Sequence, residues 1–175
     1  MKRSSRTVAR GATPNSELTR LDGARLALED SLGYQVRVTH RAVQRLLQAK
    51  IAPFGVKLGM WYFLRVLWDE DGLTQRELSL RTGTKEPTTL HAIATMERSG
   101  LVSRRRNRGD RRKINVFLTR KGKQLEAKLM PLAINVVDAA LKGFSKKEVR
   151  RMIRFLKSIQ TNLNASLDEI SESDD

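Results

Sequence analysis

The chain has 175 residues, a length that suits one compact domain or one domain carrying an embedded sub-domain. Its 34 Lys and Arg against 19 Asp and Glu give a net charge of +15, the long-range field of a protein that meets nucleic acid or an anionic membrane surface. Cysteine is absent, which excludes disulfides, thiolate chemistry, zinc clusters and thiol-based redox sensing.

Residues 1–25 are polar and basic and are broken by Gly11 and Pro14. They lack the apolar stretch of a secretory signal and read as a disordered basic arm, with a transit peptide as the other reading; a cytoplasmic protein is expected. From about Ala27 to Ile51, Leu32, Val36, Val43 and Leu47 fall at helical spacing, with His40 on the same apolar face. Pro53 and Gly55 end that helix. A second helix, from Lys57 to about Trp68, is apolar almost all round (Leu58, Met60, Trp61, Phe63, Leu64, Val66, Leu67), which predicts deep burial. Its longest apolar run, Met60 to Leu64, is far short of the roughly 20 residues of a membrane span.

After the polar turn from Asp69 to Gly72, Thr74-Gln75-Arg76-Glu77 is a capping box that starts a short helix ending at Gly83. Thr84 is expected to cap the next helix, with Pro87 in its first turn and Gly100 just past its end. Then comes LVSRRRNRGDRRKINVFLT, from Leu101 to Thr119: a short strand, arginines around a glycine turn, and a second strand in which Ile114, Val116 and Leu118 alternate. The turn region holds seven cations (Arg104, Arg105, Arg106, Arg108, Arg111, Arg112, Lys113) and one acid, Asp110. A hairpin so charged cannot sit in a core and must face solvent or a polyanion.

Helix returns from Thr119 to about Lys142, where Pro131 is expected to kink or interrupt it before Gly143 breaks it. Ser145 to Glu148 is a second capping box, and Val149, Met152, Ile153, Leu156, Ile159 and Leu163 form a stripe at near-heptad spacing. Residues 166–175 hold five acids and no base, so the rest of the chain carries +20. This end reads as a solvated acidic tail that balances charge or competes with DNA for the basic hairpin.

Two helices joined by a tight glycine turn and followed at once by a basic hairpin make a winged helix-turn-helix on DNA. The fold class is therefore mainly α with a small β-hairpin. A DNA-binding lobe spans about 56–120, and helices at about 27–51 and 120–165 form a dimerisation domain, because their apolar stripes exceed what so small a core can cover. In the helix after Gly83, Leu90 and Ile93 are expected to pack inward, leaving Thr88, Ala92 and Thr95, flanked by His91 and Thr89, to approach base edges. With Thr84, Lys85 and Pro87 at its start, this helix supplies the reading side chains. In the hairpin, Arg112 is the candidate for minor-groove insertion, and Asp110 is expected to orient a neighbouring arginine through a bidentate pair. Arg104, Arg106, Arg108 and Arg111 are expected to contact phosphates.

Leu73-Thr74-Gln75, the run Met96 to Val102, Asp110 with Arg112, and Leu118-Thr119 with Gly122 together resemble the MarR family of bacterial transcriptional regulators over about residues 30–165. The resemblance implies a homodimer on a two-fold-symmetric operator and, in most members, a small aromatic ligand that releases DNA. It places effector binding between the first two helices, where Arg37, His40, Arg41, Trp61, Tyr62 and Arg65 are the candidates; aromatic rings with arginines suit an aromatic acid or an acyl-CoA thioester. The other reading of His40 and Trp61 is plain core. The expected function is a dimeric, ligand-responsive repressor on a palindrome, with no cofactor, metal or catalytic residues. The alternatives are an architectural nucleic-acid-binding protein without sequence preference, and an enzyme, for which only His40 and His91, on separate helices, are available.

Overall fold

The computed structural model describes residues 27–107 and 109–173; the N-terminal arm, the phosphate candidate Arg108, and Asp174 and Asp175 of the acidic end lie outside the described residues. Helix α1 spans Leu32–Ile51, after a 3-10 turn at Leu28–Asp30. It is followed by α2 (Leu58–Asp69), β1 (Leu73–Thr74), α3 (Gln75–Thr82), α4 (Glu86–Arg98), β2 (Val102–Arg106), β3 (Ile114–Leu118), α5 (Arg120–Ala140) and α6 (Lys146–Ser173). The chain divides within α1, between Ala42 and Val43, into two compact units. In the first, the described residues run from Ala27 to Ala42 and bury no side chain.

The second unit holds the core. Helix α2 buries Met60, Trp61, Phe63, Leu64 and Leu67, as its apolar circumference requires. Trp61 meets Trp68 edge to face, with ring centroids 5.8 Å apart at 77°. The Trp68 indole Nε1 donates to the Gly122 carbonyl (3.0 Å) and so pins α5 to α2. A Cβ at Gly122 would collide with the Leu101 carbonyl oxygen, so only glycine admits this close approach. Gln48, near the end of α1, starts α2: its Oε1 accepts from Leu58 N (2.9 Å) and its Nε2 donates to the Val56 carbonyl (3.3 Å).

The hairpin is one part of a three-stranded antiparallel sheet of order β1-β3-β2, with Leu73 opposite Val116 and Val102 opposite Leu118. The third strand went unforeseen because two residues are too short to show a period of two. The capping box is present. Thr74 Oγ1 accepts from Glu77 N (3.2 Å), and Glu77 Oε2 accepts from Thr74 N (2.7 Å). The Thr74 hydroxyl and backbone N–H hold the Glu77 carboxyl below the usual carboxylate range. The second box repeats the pattern at Ser145 and Glu148.

Three expectations need correction. Thr84 does not cap α4: the N-cap is Lys85 without a side-chain bond, and the Thr84 hydroxyl lies between those of Thr82 (2.9 Å) and Thr89 (2.8 Å). Pro131 does not interrupt α5, which continues unbroken to Ala140. Nor does a tail begin at residue 166. Asp168, Glu169 and Glu172 are exposed residues of α6, because nothing in NASLDEISES breaks a helix before Ser173.

Candidate nucleic-acid interface

The wing is held at its base by Asp71 from outside it and by two of its own asparagines. Asp71 Oδ1 accepts from Leu118 N (2.7 Å) and Gly72 N (3.0 Å), while Oδ2 pairs with Lys123 Nζ (3.1 Å). Asn115 donates from Nδ2 to the Gly72 carbonyl (2.6 Å) and accepts at Oδ1 from Asn107 Nδ2 (3.0 Å). Asn107 Oδ1 in turn accepts from the amides of Gly109 (2.8 Å) and Asp110 (3.0 Å). A chain of side-chain bonds thus runs from the turn after α2 to the tip. Sequence reasoning missed Asp71, Asn107 and Asn115. An Asn before a turn glycine was the one local signal; the partners of Asp71 and Asn115 lie 47 and 43 residues away.

The arginines then separate by role. Arg104 donates from Nε to one oxygen of Glu97 (2.9 Å) and forms an ion pair with it through Nη2 (2.6 Å), so β2 is tied to the last turn of α4. That hydrogen bond holds the Glu97 carboxyl below the usual carboxylate range. The Arg105 guanidinium lies over the Phe117 ring, 5.1 Å from its centroid. Arg106 and Arg111 are exposed. Arg112 projects with its side chain 93% exposed. Asp110 does orient a neighbour, but not through a bidentate fork: its Oδ1 accepts from both the backbone N (3.1 Å) and Nε (3.3 Å) of Arg112. The other carboxylate oxygen, Oδ2, lies 3.9 Å from Lys113 Nζ instead.

On α4 Ile93 packs inward as expected, but Leu90 does not, and Thr89 and Ala92 take the buried side instead. The buried row is Thr89, Ala92, Ile93 and Met96, at spacing i, i+3, i+4 and i+7. Thr89 is therefore not on the exposed face of α4. It is 1% exposed, and its hydroxyl is bonded to Thr84 Oγ1 and the Lys85 carbonyl. Ala92 is buried as well, whereas Leu90, expected inside, is 46% exposed. A threonine reads as polar, and nothing local shows that Thr84 satisfies its hydroxyl. The exposed face consists of Lys85, Glu86, Pro87, Thr88, Leu90, His91 and Arg98. Thr95 is half-buried; its hydroxyl donates to the His91 carbonyl (2.8 Å) and accepts from Arg98 Nη2 (3.1 Å).

Of the effector candidates, Trp61 is core rather than lining, 3% exposed against Trp68. Arg37, His40 and Arg41 are exposed on α1, so His40 does not sit on a buried face; Val36 beside it is 47% exposed too. Tyr62 and Arg65 border an open hollow of about 470 Å³ with Asp69 and Arg81. Among the described residues, no group of three His, Cys, Asp or Glu lies close enough to hold a metal ion, and no helix is long and apolar enough to cross a membrane.

Comparison with known proteins places this geometry. The MarR family model matches residues 54–113. The HTH-type transcriptional regulator TtmR of Methylorubrum extorquens is 30% identical over 139 residues, covering 79% of this chain and 70% of TtmR. Among solved structures, a MarR transcriptional regulator from Methanosarcina mazei is 32% identical, with a TM-score of 0.69 over 75% of this chain and 94% of its own. CouR of Rhodococcus jostii, solved bound to p-coumaroyl-CoA, shares the fold at 20% identity and a TM-score of 0.68, over 77% of this chain and 95% of its own. CouR is also described as a transcriptional repressor bound to a 23-mer DNA duplex, at 23% identity and a TM-score of 0.71, over 78% of this chain and 99% of its own. With α4 exposed beside a wing of oriented arginines, this chain belongs to the MarR family of DNA-binding transcriptional regulators.

Proposed function

We propose that the chain is a cytoplasmic homodimeric repressor that holds a palindromic operator and is released by a small aromatic acid or its CoA thioester. The observation that carries the dimer is α6. Over 28 residues it buries nothing, and Ile153, Leu156, Leu163, Leu167 and Ile170 stay exposed along it. An apolar row of that length in water marks an interaction surface. A second copy would bring the same row, and two-fold symmetry would set two α4 helices on half-sites about 10 bp apart. In this reading Thr88, His91 and the start of α4 meet base edges, Arg112 enters the minor groove, and Arg106 and Arg111 contact phosphates.

Support for the ligand comes from CouR, solved with p-coumaroyl-CoA, and from the chemistry of Tyr62 and Arg65. An aromatic ring would stack on Tyr62, while guanidinium groups would take carboxylate or phosphate oxygens. Sedimentation equilibrium tests the dimer: twice the 19.9 kDa chain mass is expected, and a monomer at tens of micromolar would overturn it. A thermal-shift screen of aromatic acids and their CoA thioesters tests the ligand. A hit that also lowers DNA affinity is expected, and no hit in either class would remove the effector part.

A further inference from the structure

Helix α4 is bordered by two depressions. One, of about 420 Å³, lies between α3, the first turn of α4 and the wing; it is lined by Gln75, Arg76, Glu77, Glu86, Arg112 and Lys113 among others. The second, of about 330 Å³, lies between α4 and the start of α2, away from both the helix-turn-helix turn and the wing. Its α4 side is the stripe Thr88, His91, Thr95 and Arg98, at spacing three, four and three. Buried Met60 and Ala92 are among its lining, and Lys57 and Gly59 line it from the start of α2. No carboxylate lines it, in contrast to the first depression.

One of the cations here is also prepared. Arg98 Nη2 is held by the Thr95 hydroxyl, itself donated to the His91 carbonyl, so its guanidinium is positioned before any ligand arrives. A preordered side chain loses less entropy on binding than a free one. Lys57 is the N-cap of α2, with an extended backbone (φ −99°, ψ 155°) and an exposed side chain.

We infer that this depression is a second backbone clamp for duplex DNA, in which Lys57 and Arg98 take a phosphate on the groove wall opposite the one addressed by α3 and the wing. Dimensions support the two-sided grip. A helix with its side chains is about 10–12 Å across and the major groove about 12 Å wide, so a seated α4 brings both its flanks against phosphate walls. The inference rests on α4 being the groove-seated helix. It adds a phosphate anchor whose role is electrostatic and indifferent to sequence.

The test is equilibrium binding of the full chain to a mixed-sequence duplex of about 25 bp, followed by anisotropy across a salt series. Lys57→Ala with Arg98→Ala is expected to weaken binding at low salt and to flatten the slope of log affinity against log salt, by about 0.9 for each phosphate that a bound chain no longer neutralises. Lys57→Arg with Arg98→Lys should retain the slope, because the charge is kept. Lys57→Gln alone leaves α4 untouched and should still flatten the slope, which separates loss of the clamp from damage to the helix. An unchanged slope in the Ala variant, while Arg112→Ala weakens binding, would overturn the clamp and leave α4 in the groove. If Arg112→Ala and Thr88→Arg also leave binding unaltered, the seating of α4 itself fails.

Discussion

Helices α2 and α6 are both rich in large apolar residues, yet one is closed by its own chain and the other is not. The buried side of α2 is covered by α3, α4, α5 and the sheet, with Leu64 and Leu67 fully enclosed. Along α6 no residue is buried, and Leu163, Leu167 and Ile170 stand 60%, 62% and 59% exposed. Periodicity reports which face of a helix is apolar; it does not report what covers that face. The wing repeats the contrast on a smaller scale. At its base Asp71, Asn115 and Asn107 satisfy the backbone, while at its tip Arg106 and Arg111 are exposed and Arg112, 3.3 Å from Asp110, still keeps its side chain 93% exposed.

Substitutions on the two sides of this contrast should therefore act on different observables. Leu64→Ala opens a cavity in the closed core and should cost about 2–5 kcal/mol of folding stability, read as a lower denaturant midpoint. A stability within about 1 kcal/mol of the parent would mean the α2 core is looser than its burial implies. Leu156→Asp, on the open face, should leave the helix-turn-helix core folded and remove the dimer from sedimentation profiles, with DNA affinity falling as a consequence. A variant that stays dimeric would take α6 out of the interface. Arg112→Ala should lower DNA affinity by about 1–3 kcal/mol without altering mass or melting.

The smallest expected effect concerns Glu97 and Arg104, which join α4 to the wing across a partly exposed ion pair. Because the Glu97 carboxyl is held low by Arg104, its contribution is present above the ordinary glutamate range, about 4.3, and is lost as the pH falls through and below it. An exposed pair of this kind is worth about 0.2–1 kcal/mol. Acid titration of the parent and of Glu97→Gln, followed by amide exchange in β2, should show the wing loosening in the parent and a pH-insensitive, already loosened wing in the variant. Identical profiles would show that the pair contributes nothing.

Much of this architecture was legible along the chain. The Thr74 and Ser145 capping boxes, the glycine stops at Gly83 and Gly100, and the inward Val116 and Leu118 of β3 are all local signals present in the structure, although Ile114, expected on the same face, is 37% exposed. What sequence could not supply were pairings over distance. Strand β1 exists because Leu73 meets Val116; Thr89 is buried because Thr84 answers its hydroxyl; Arg104 is fixed because Glu97 reaches it. Lys57 and Arg98 gave no signal either, since 41 positions separate two cations that line one depression.

At the centre of this reading, α6 and the wing tip are completed by a second copy and by DNA in one symmetric complex. Selection of bound duplexes from a random pool tests that most directly. The predicted result is enrichment of an inverted repeat whose half-sites lie about 10 bp apart, centre to centre. A pool that emerges with no enriched sequence, or with a single half-site and no symmetric mate, would contradict it.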